Sequence, residues 1–321
     1  MEIFCKKQEN KTVAISLNEL KSKSIASYVV AIWRAWRPFS LTAAIIPTTL
    51  GSVIALRDGY FNLLTFILIT IGGLLLQSGA NLINDFFEFK SGILPEKNPQ
   101  FKLTMKGRML YEYLIFLAGI GCFALTVPIG LYLTYTSGIQ LLIIGIIGFI
   151  GGYFYTGKPF SYKNKALGVV FVFFLMGVMM VYGSYYALSA RFSIVALLAS
   201  LPVSCLVSLL LISNEIRDIE IDKINGLSTL SVRIGYNRAR ILYLMVLSVT
   251  YVIVVLLSFL GILPILSLIT LITIPYGLRI FKLTELELPK RRSIVPKTAM
   301  LHFIFGGLLI FSLIFDYYLN Q

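Results

Sequence analysis

An all-α, polytopic membrane fold is what this sequence predicts: nine transmembrane helices around a central cavity, with a cap on the cytoplasmic side. Three observations carry that prediction. Hydrophobic residues make up 57% of the 321 and charged residues only 13%, with a mean hydropathy of +0.84. A soluble domain carries about half apolar and about a quarter charged residues. Nine stretches approach the roughly 20 apolar residues that a hydrocarbon core demands. Lastly, the 28 lysines and arginines partition sharply between alternate connecting segments.

In chain order, residues 1–32 are polar and Lys-rich and read as a cytoplasmic arm with little core of its own. Residues 33–321 read as one membrane domain. Trp33, Arg34, Trp36 and Arg37 suit an interfacial anchor ahead of the first span. Pro38 fits a helix start, and Pro47 predicts a kink within span one. The spans cover about 39–56, 61–86, 110–134, 139–155, 166–189, 193–213, 240–260, 262–281 and 297–316. Gly72-Gly73, Gly148, Gly151-Gly152 and Gly306-Gly307 fall where helices can pack closely.

With nine spans, 26 of the 28 cationic residues share a side with the N-terminus, leaving Arg57 and Arg191 opposite. By the positive-inside rule the N-terminus is cytoplasmic and the C-terminus outside, as in a multi-pass protein of the cell membrane. The net charge of +13 then reflects orientation and contact with anionic lipid, not a nucleic-acid partner. Cys5, Cys122 and Cys205 are isolated and form no metal or redox motif. His302, alone within an apolar span, reads as a packed, hydrogen-bonded side chain. No secretory signal peptide is visible.

Chemistry concentrates in two acidic patches, each at the basic-loop end of a hydrophobic stretch. The first is Asn81-Leu82-Ile83-Asn84-Asp85-Phe86-Phe87-Glu88, the second Asn214-Glu215-Ile216-Arg217-Asp218-Ile219-Glu220-Ile221-Asp222. Helical spacing puts Asn81, Asp85, Glu88 and Gly92 on one face, and likewise Asn214, Asp218 and Asp222. Carboxylates beside a bilayer core are costly, so two sets facing one cavity point to function. Magnesium prefers hard oxygen ligands and takes one or two carboxylates alongside phosphate and water. Asp85, Glu88, Asp218 and Asp222 are the candidate metal ligands, and Asn81, Asn84 and Asn214 add or orient oxygens. Lys158, Lys163, Arg217 and Lys223 are placed to meet phosphate charge. The blander alternative for each carboxylate is an ion pair with a nearby Lys or Arg. Rival functions are an ion-coupled secondary transporter, whose sites usually lie at midplane, and a non-enzymatic lipid or quinone scaffold.

The residues Asn84-Asp85-Phe86-Phe87-Glu88 and Asp218-Ile219-Glu220-Ile221-Asp222 resemble the paired motifs of the UbiA superfamily of intramembrane prenyltransferases. Within it, the chain is most similar to the menaquinone branch, the 1,4-dihydroxy-2-naphthoate polyprenyltransferases. Supporting stretches are Arg37-Pro38-Phe39-Ser40-Leu41, Gly79-Ala80-Asn81, Tyr155-Thr156-Gly157, Gly183-Ser184-Tyr185-Tyr186 and Asn214-Glu215-Ile216-Arg217-Asp218. The likeness covers residues of about 33–316. It departs from the pattern at Glu88, where Asp is usual, at Ile93-Leu94-Pro95-Glu96, and at Lys158. The resemblance implies Mg²⁺-assisted ionisation of a polyprenyl diphosphate and attack on the allylic cation by an aromatic acceptor. Asp85, Asp218 and Lys158 would be catalytic, and Asn81, Asn84, Tyr155, Lys163, Arg217 and Lys223 would bind substrate. Tyr153, Tyr155, Tyr185 and Tyr186 could stabilise the cation through their ring faces. Acceptors such as 4-hydroxybenzoate remain open, as do prenyl length and oligomeric state.

Overall fold

The computed structural model describes residues 36–92, 105–287 and 290–320. The arm at 1–32, together with Trp33, Arg34 and Cys5, lies outside the described residues.

Ten helices form the described fold, and no strand occurs among these residues. A 3-10 turn, Pro38–Leu41, leads into α1, Thr42–Arg57; α2 is Leu63–Lys90, α3 Met105–Ser137 and α4 Ile139–Phe154. Next come α5, Gly168–Ser189, with a π-helical stretch at Phe173–Val178, and α6, Ile194–Ile224. The short α7, Leu230–Ile234, precedes α8, Tyr236–Phe259. Then α9, Ile265–Leu283, opens as a 3-10 helix, and α10 is Ile294–Leu319. Local chemistry sets several starts: Asn62 and Ser193 side chains accept from the Thr65 and Ala196 amides and cap α2 and α6.

Nine of these helices are apolar and fall at the nine expected positions, and eight of them are long enough to cross a membrane. The exception, α4, has 16 residues, about 24 Å of helix against a hydrocarbon core of about 30 Å. α1 and α10 run in the same direction, because Arg57 at the end of α1 pairs with Asp316 near the end of α10 at 2.7 Å. An odd number of crossings requires that arrangement.

Burial separates the inner helices from the outer ones. In α6, 72% of the apolar window is buried inside the protein, against 22% in α3. The main core joins α1, α5, α6, α8, α9 and α10, and a smaller cluster of Leu82, Phe89, Tyr111, Ile115 and Cys122 fastens α2 to α3. Small residues set the close approaches. A Cβ on Gly51 would meet the Val181 carbonyl and Ser184, one on Gly177 would meet Ser204, and one on Gly306 would meet Ile46. Gly307, by contrast, faces open space. Polar groups in the bundle pair with one another: Ser267 with Ser312 (2.8 Å), Tyr251 with Thr273 (2.8 Å) and Tyr243 with Thr298 (3.0 Å). His302 is buried, and its Nδ1 lies 3.3 Å from Thr42 Oγ1.

Candidate active site

At the polar end of α2 the helix continues unbroken, so Asn81, Asp85 and Glu88 stack along one face and all are buried. Asn81 Nδ2 donates to Ser40 Oγ (2.9 Å) and to the Trp36 carbonyl (3.2 Å), and Asn84 Nδ2 to Asp85 Oδ1 (3.3 Å). Arg37, just ahead of α1, forms an ion pair with Asp85. Its backbone is left-handed, φ 49°, directly before Pro38. That region is unfavourable for a non-glycine residue, more so before proline, so local strain accompanies the pairing. Burial opposes the Arg37 charge, but Asp85 and then Glu88 more than offset it and hold the guanidinium protonated.

The third contributor is the segment after α4. Ser161 (φ 36°) and Ala166 (φ 61°) bracket the 3-10 turn Tyr162–Lys165 in left-handed conformations. Tyr162 anchors that turn by donating from its hydroxyl to the Gly151 carbonyl at 2.8 Å. The Lys163 amide donates to the Tyr155 carbonyl at 3.0 Å, and this directs the side chain inward. Lys163 Nζ donates to Glu88 Oε1 (2.5 Å) and Asn84 Oδ1 (3.1 Å) and lies 5.7 Å from the centre of the Tyr155 ring. Burial alone would favour neutral lysine. Glu88 and Asp222 outweigh it and raise the ammonium above the ordinary lysine range.

From α6 come Asn214, Asp218 and Asp222. Arg217 grips Asp218 with two hydrogen bonds, Nε to Oδ1 at 2.7 Å and Nη2 to Oδ2 at 2.6 Å. Asp222 is buried. Lys163 lies in the field of both Glu88 and Asp222, and Arg217 in that of both Asp218 and Glu88, so the two acidic sets face each other. Glu220 points the other way and pairs with Arg291.

A cavity of about 500 Å³ opens beneath this cluster. Arg37, Ser40, Asn81, Asn84, Tyr155 and Asn214 line its polar end, and Gly72, Gly73, Leu76, Ile129, Gly148, Leu175, Met176 and Met180 line its apolar length. A site of this size, mostly apolar with a few convergent polar groups, suits a ligand that has a charged head and a hydrocarbon tail.

Ten residues expected from sequence therefore converge: Asn81, Asn84, Asp85, Glu88, Tyr155, Lys163, Asn214, Arg217, Asp218 and Asp222. Lys158 and Lys223 do not join them; both side chains are exposed. Tyr153 rests against Phe154, and Tyr185 donates to Asp58 (2.7 Å) on the side of the bundle away from the acids. Carboxylate–cation pairs do form, but through side chains that themselves belong to the cluster. From sequence, Arg37 read as an interfacial anchor, and Glu215, quoted within the second acidic patch, received no role of its own. The signal for Arg37 was its place directly before Pro38, which opens the turn into α1, at the level of the acids.

Comparisons with known proteins place the chain among relatives. The 1,4-dihydroxy-2-naphthoate octaprenyltransferase of Bacillus subtilis (strain 168) is 28% identical over 289 residues, 89% of this chain and 93% of that one. UbiA prenyltransferase domain-containing protein 1 of Rattus norvegicus is 29% identical over 230 residues, 70% of this chain and 66% of that protein. The fold matches a UbiA homolog from Archaeoglobus fulgidus, solved bound to DMAPP and Mg²⁺, with a TM-score of 0.59 at 16% identity over 87% of this chain and 98% of that one. A UbiA homolog from Aeropyrum pernix K1 gives 0.58 at 14% identity, covering 85% and 97%. The sequence pattern of the UbiA prenyltransferase family matches residues 44–304. That span takes in both acidic sets, the Lys163 turn and every helix that lines the cavity, and the chain belongs to the UbiA prenyltransferase family.

Proposed function

We propose that this prenyltransferase moves a polyprenyl group from a polyprenyl diphosphate onto 1,4-dihydroxy-2-naphthoate, a step of menaquinone biosynthesis. One observation carries the reading: two facing carboxylate sets and three cations stand at the head of a long apolar cavity. The Bacillus relative supports the choice of acceptor.

The donor set fits Mg²⁺. Asp85 and Glu88 on α2, and Asp218 and Asp222 on α6, are hard oxygen donors. Among the described residues no three acidic, His or Cys side chains converge on one point. Mg²⁺ takes one or two protein carboxylates and completes its shell with water and phosphate. When bound, the metal would neutralise charge that develops on the departing diphosphate. Arg37, Lys163 and Arg217 would supply charge-assisted hydrogen bonds to the same group.

In the reaction the prenyl carbon–oxygen bond breaks and its electron pair leaves with diphosphate. A ring carbon of the acceptor then bonds the allylic carbon, and that ring carbon loses its carboxylate as CO₂. The apolar walls keep water from trapping the cation as an alcohol, and the Tyr155 ring at the cavity head offers it a π-face. The tail of the substrate explains why the site lies within a bilayer protein. The charge partition supports a cytoplasmic N-terminus and site, with the C-terminus outside.

Purified protein given Mg²⁺, geranylgeranyl diphosphate and either 1,4-dihydroxy-2-naphthoate or 4-hydroxybenzoate, with EDTA controls, tests this by mass spectrometry. Metal-dependent product from the naphthoate alone is expected. Product from the benzoate alone would move the chain to another acceptor branch.

A further inference from the structure

Glu215 lies outside the two motifs, yet it shares their face of α6, three residues before Asp218 and seven before Asp222. It is 3% exposed. Its Oε2 accepts two hydrogen bonds from Ser231, from the amide at 2.9 Å and from the hydroxyl at 2.8 Å. Its Oε1 is buried without a hydrogen-bond partner. A buried carboxylate with one unsatisfied oxygen is an unfavourable arrangement, and packing alone would be served better by an apolar side chain.

What the carboxylate holds is α7. Five residues are too few for a helix to be stable by itself, and Thr229, its N-cap residue, makes no capping hydrogen bond. The Ser231 amide belongs to the first turn of α7, where amides have no partner within the helix. Glu215 therefore caps α7 from a different helix and folds the 225–235 segment back over the end of α6. On the opposite face of α6, Glu220 pairs with Arg291. The two contacts hold the helix end from both sides. Lys163 and Asp222 lie within the field of Glu215, so the same carboxylate borders the cation that faces both acidic sets.

We propose that Glu215 is a positioning residue for the diphosphate site, acting through Ser231 to clamp the 225–235 segment over Asp218 and Asp222. The clamp keeps the second acidic set in register with Lys163 and under cover when substrate is bound. This role rests on the diphosphate reading above, while the clamp can be measured without any turnover.

Hydrogen–deuterium exchange of the whole protein reads the clamp, and isothermal titration with inorganic pyrophosphate and Mg²⁺ reads the site. Glu215→Ala should speed exchange across 225–235 at least about tenfold and weaken Mg²⁺-pyrophosphate binding. Glu215→Gln keeps an amide oxygen for Ser231 and should restore both the protection and the binding. Ser231→Ala, which removes one of the two donors, should give a smaller change in the same direction and serves if Glu215→Ala does not fold. With geranylgeranyl diphosphate the effect should appear mainly in KM. Unchanged exchange in both Glu215→Ala and Ser231→Ala would overturn the clamp. So would Glu215→Gln that is protected like wild type yet binds as poorly as Glu215→Ala, since the charge would then be the operative feature. A failure of prenyl transfer in the wild type would remove the diphosphate reading and leave the exchange result standing.

Discussion

Arg37 and Asp85, 48 positions apart in the chain, meet as an ion pair at the head of the cavity. The contact joins the entry of α1 to the end of α2 and places a guanidinium beside the first acidic set. On the proposed metal reading, Arg37 and the ion would compete for the same Asp85 oxygen. Arg37→Ala should therefore leave a buried carboxylate unneutralised, at a cost on the order of 3 kcal/mol. Pyrophosphate affinity should fall with it. Arg37→Lys, which keeps charge but not the planar fork, should recover stability better than affinity. Titration with pyrophosphate and thermal melting read the two quantities apart.

Asp85→Asn and Asp218→Asn should each abolish Mg²⁺-dependent prenyl transfer while the protein still folds and inserts. The amide keeps the shape but removes the anionic oxygen that the proposed metal would require. Activity assayed beside size-exclusion profiles in detergent checks this. Near-normal turnover in both variants would sink the metal assignment.

The buried and the exposed lysine should behave differently. Lys163→Met removes a charge-assisted donor shared by Glu88 and Asn84 and should raise KM for the prenyl diphosphate by about tenfold or more. Lys158→Ala, with its exposed side chain, should change KM by no more than a few-fold. Equal effects would return Lys158 to the site.

The same lysine predicts a pH dependence. Its folded-state pKa is raised, so the stabilisation is complete below the ordinary lysine pKa and is lost as pH rises through the raised value. The stability difference between wild type and Lys163→Met should hold through neutral pH and shrink only under strongly alkaline conditions. Denaturation in detergent at several pH values measures it.

Gly148 lines the cavity and has open space where a side chain would begin. Gly148→Phe should fit without disturbing the fold and shorten the cavity. Activity with geranyl diphosphate should survive better than with longer diphosphates, as read by competition between donors of different length. Gly177→Val is the contrasting case: its side chain would collide with Ser204, so loss of folded protein is expected, not a change of specificity.

Much of this protein was legible as sequence, and the reasons are local. A hydrocarbon core admits only helices and closed barrels, and apolar runs of this length fit helices, so they alone located nine of them. The period of the α-helix placed Asn81, Asp85 and Glu88 on one face and Asn214, Asp218 and Asp222 on another, before any tertiary contact was known. Other features depended on packing between elements far apart in the chain. Lys158 and Lys163 lie in one loop with the same charge, and only the Tyr162–Lys165 turn, held by the Tyr162–Gly151 hydrogen bond, decides which enters the site. Arg37 read as an anchor because its partner lies 48 residues on, and Glu215 read as one more acid because Ser231 is brought to it by the fold of the 225–235 segment. The class of fold, the helix positions and the two acidic faces all follow from side-chain periodicity and an apolar solvent. Which cations meet those acids and how α7 is fastened depend on packing, because such pairings arise from the convergence of several helix ends and loops.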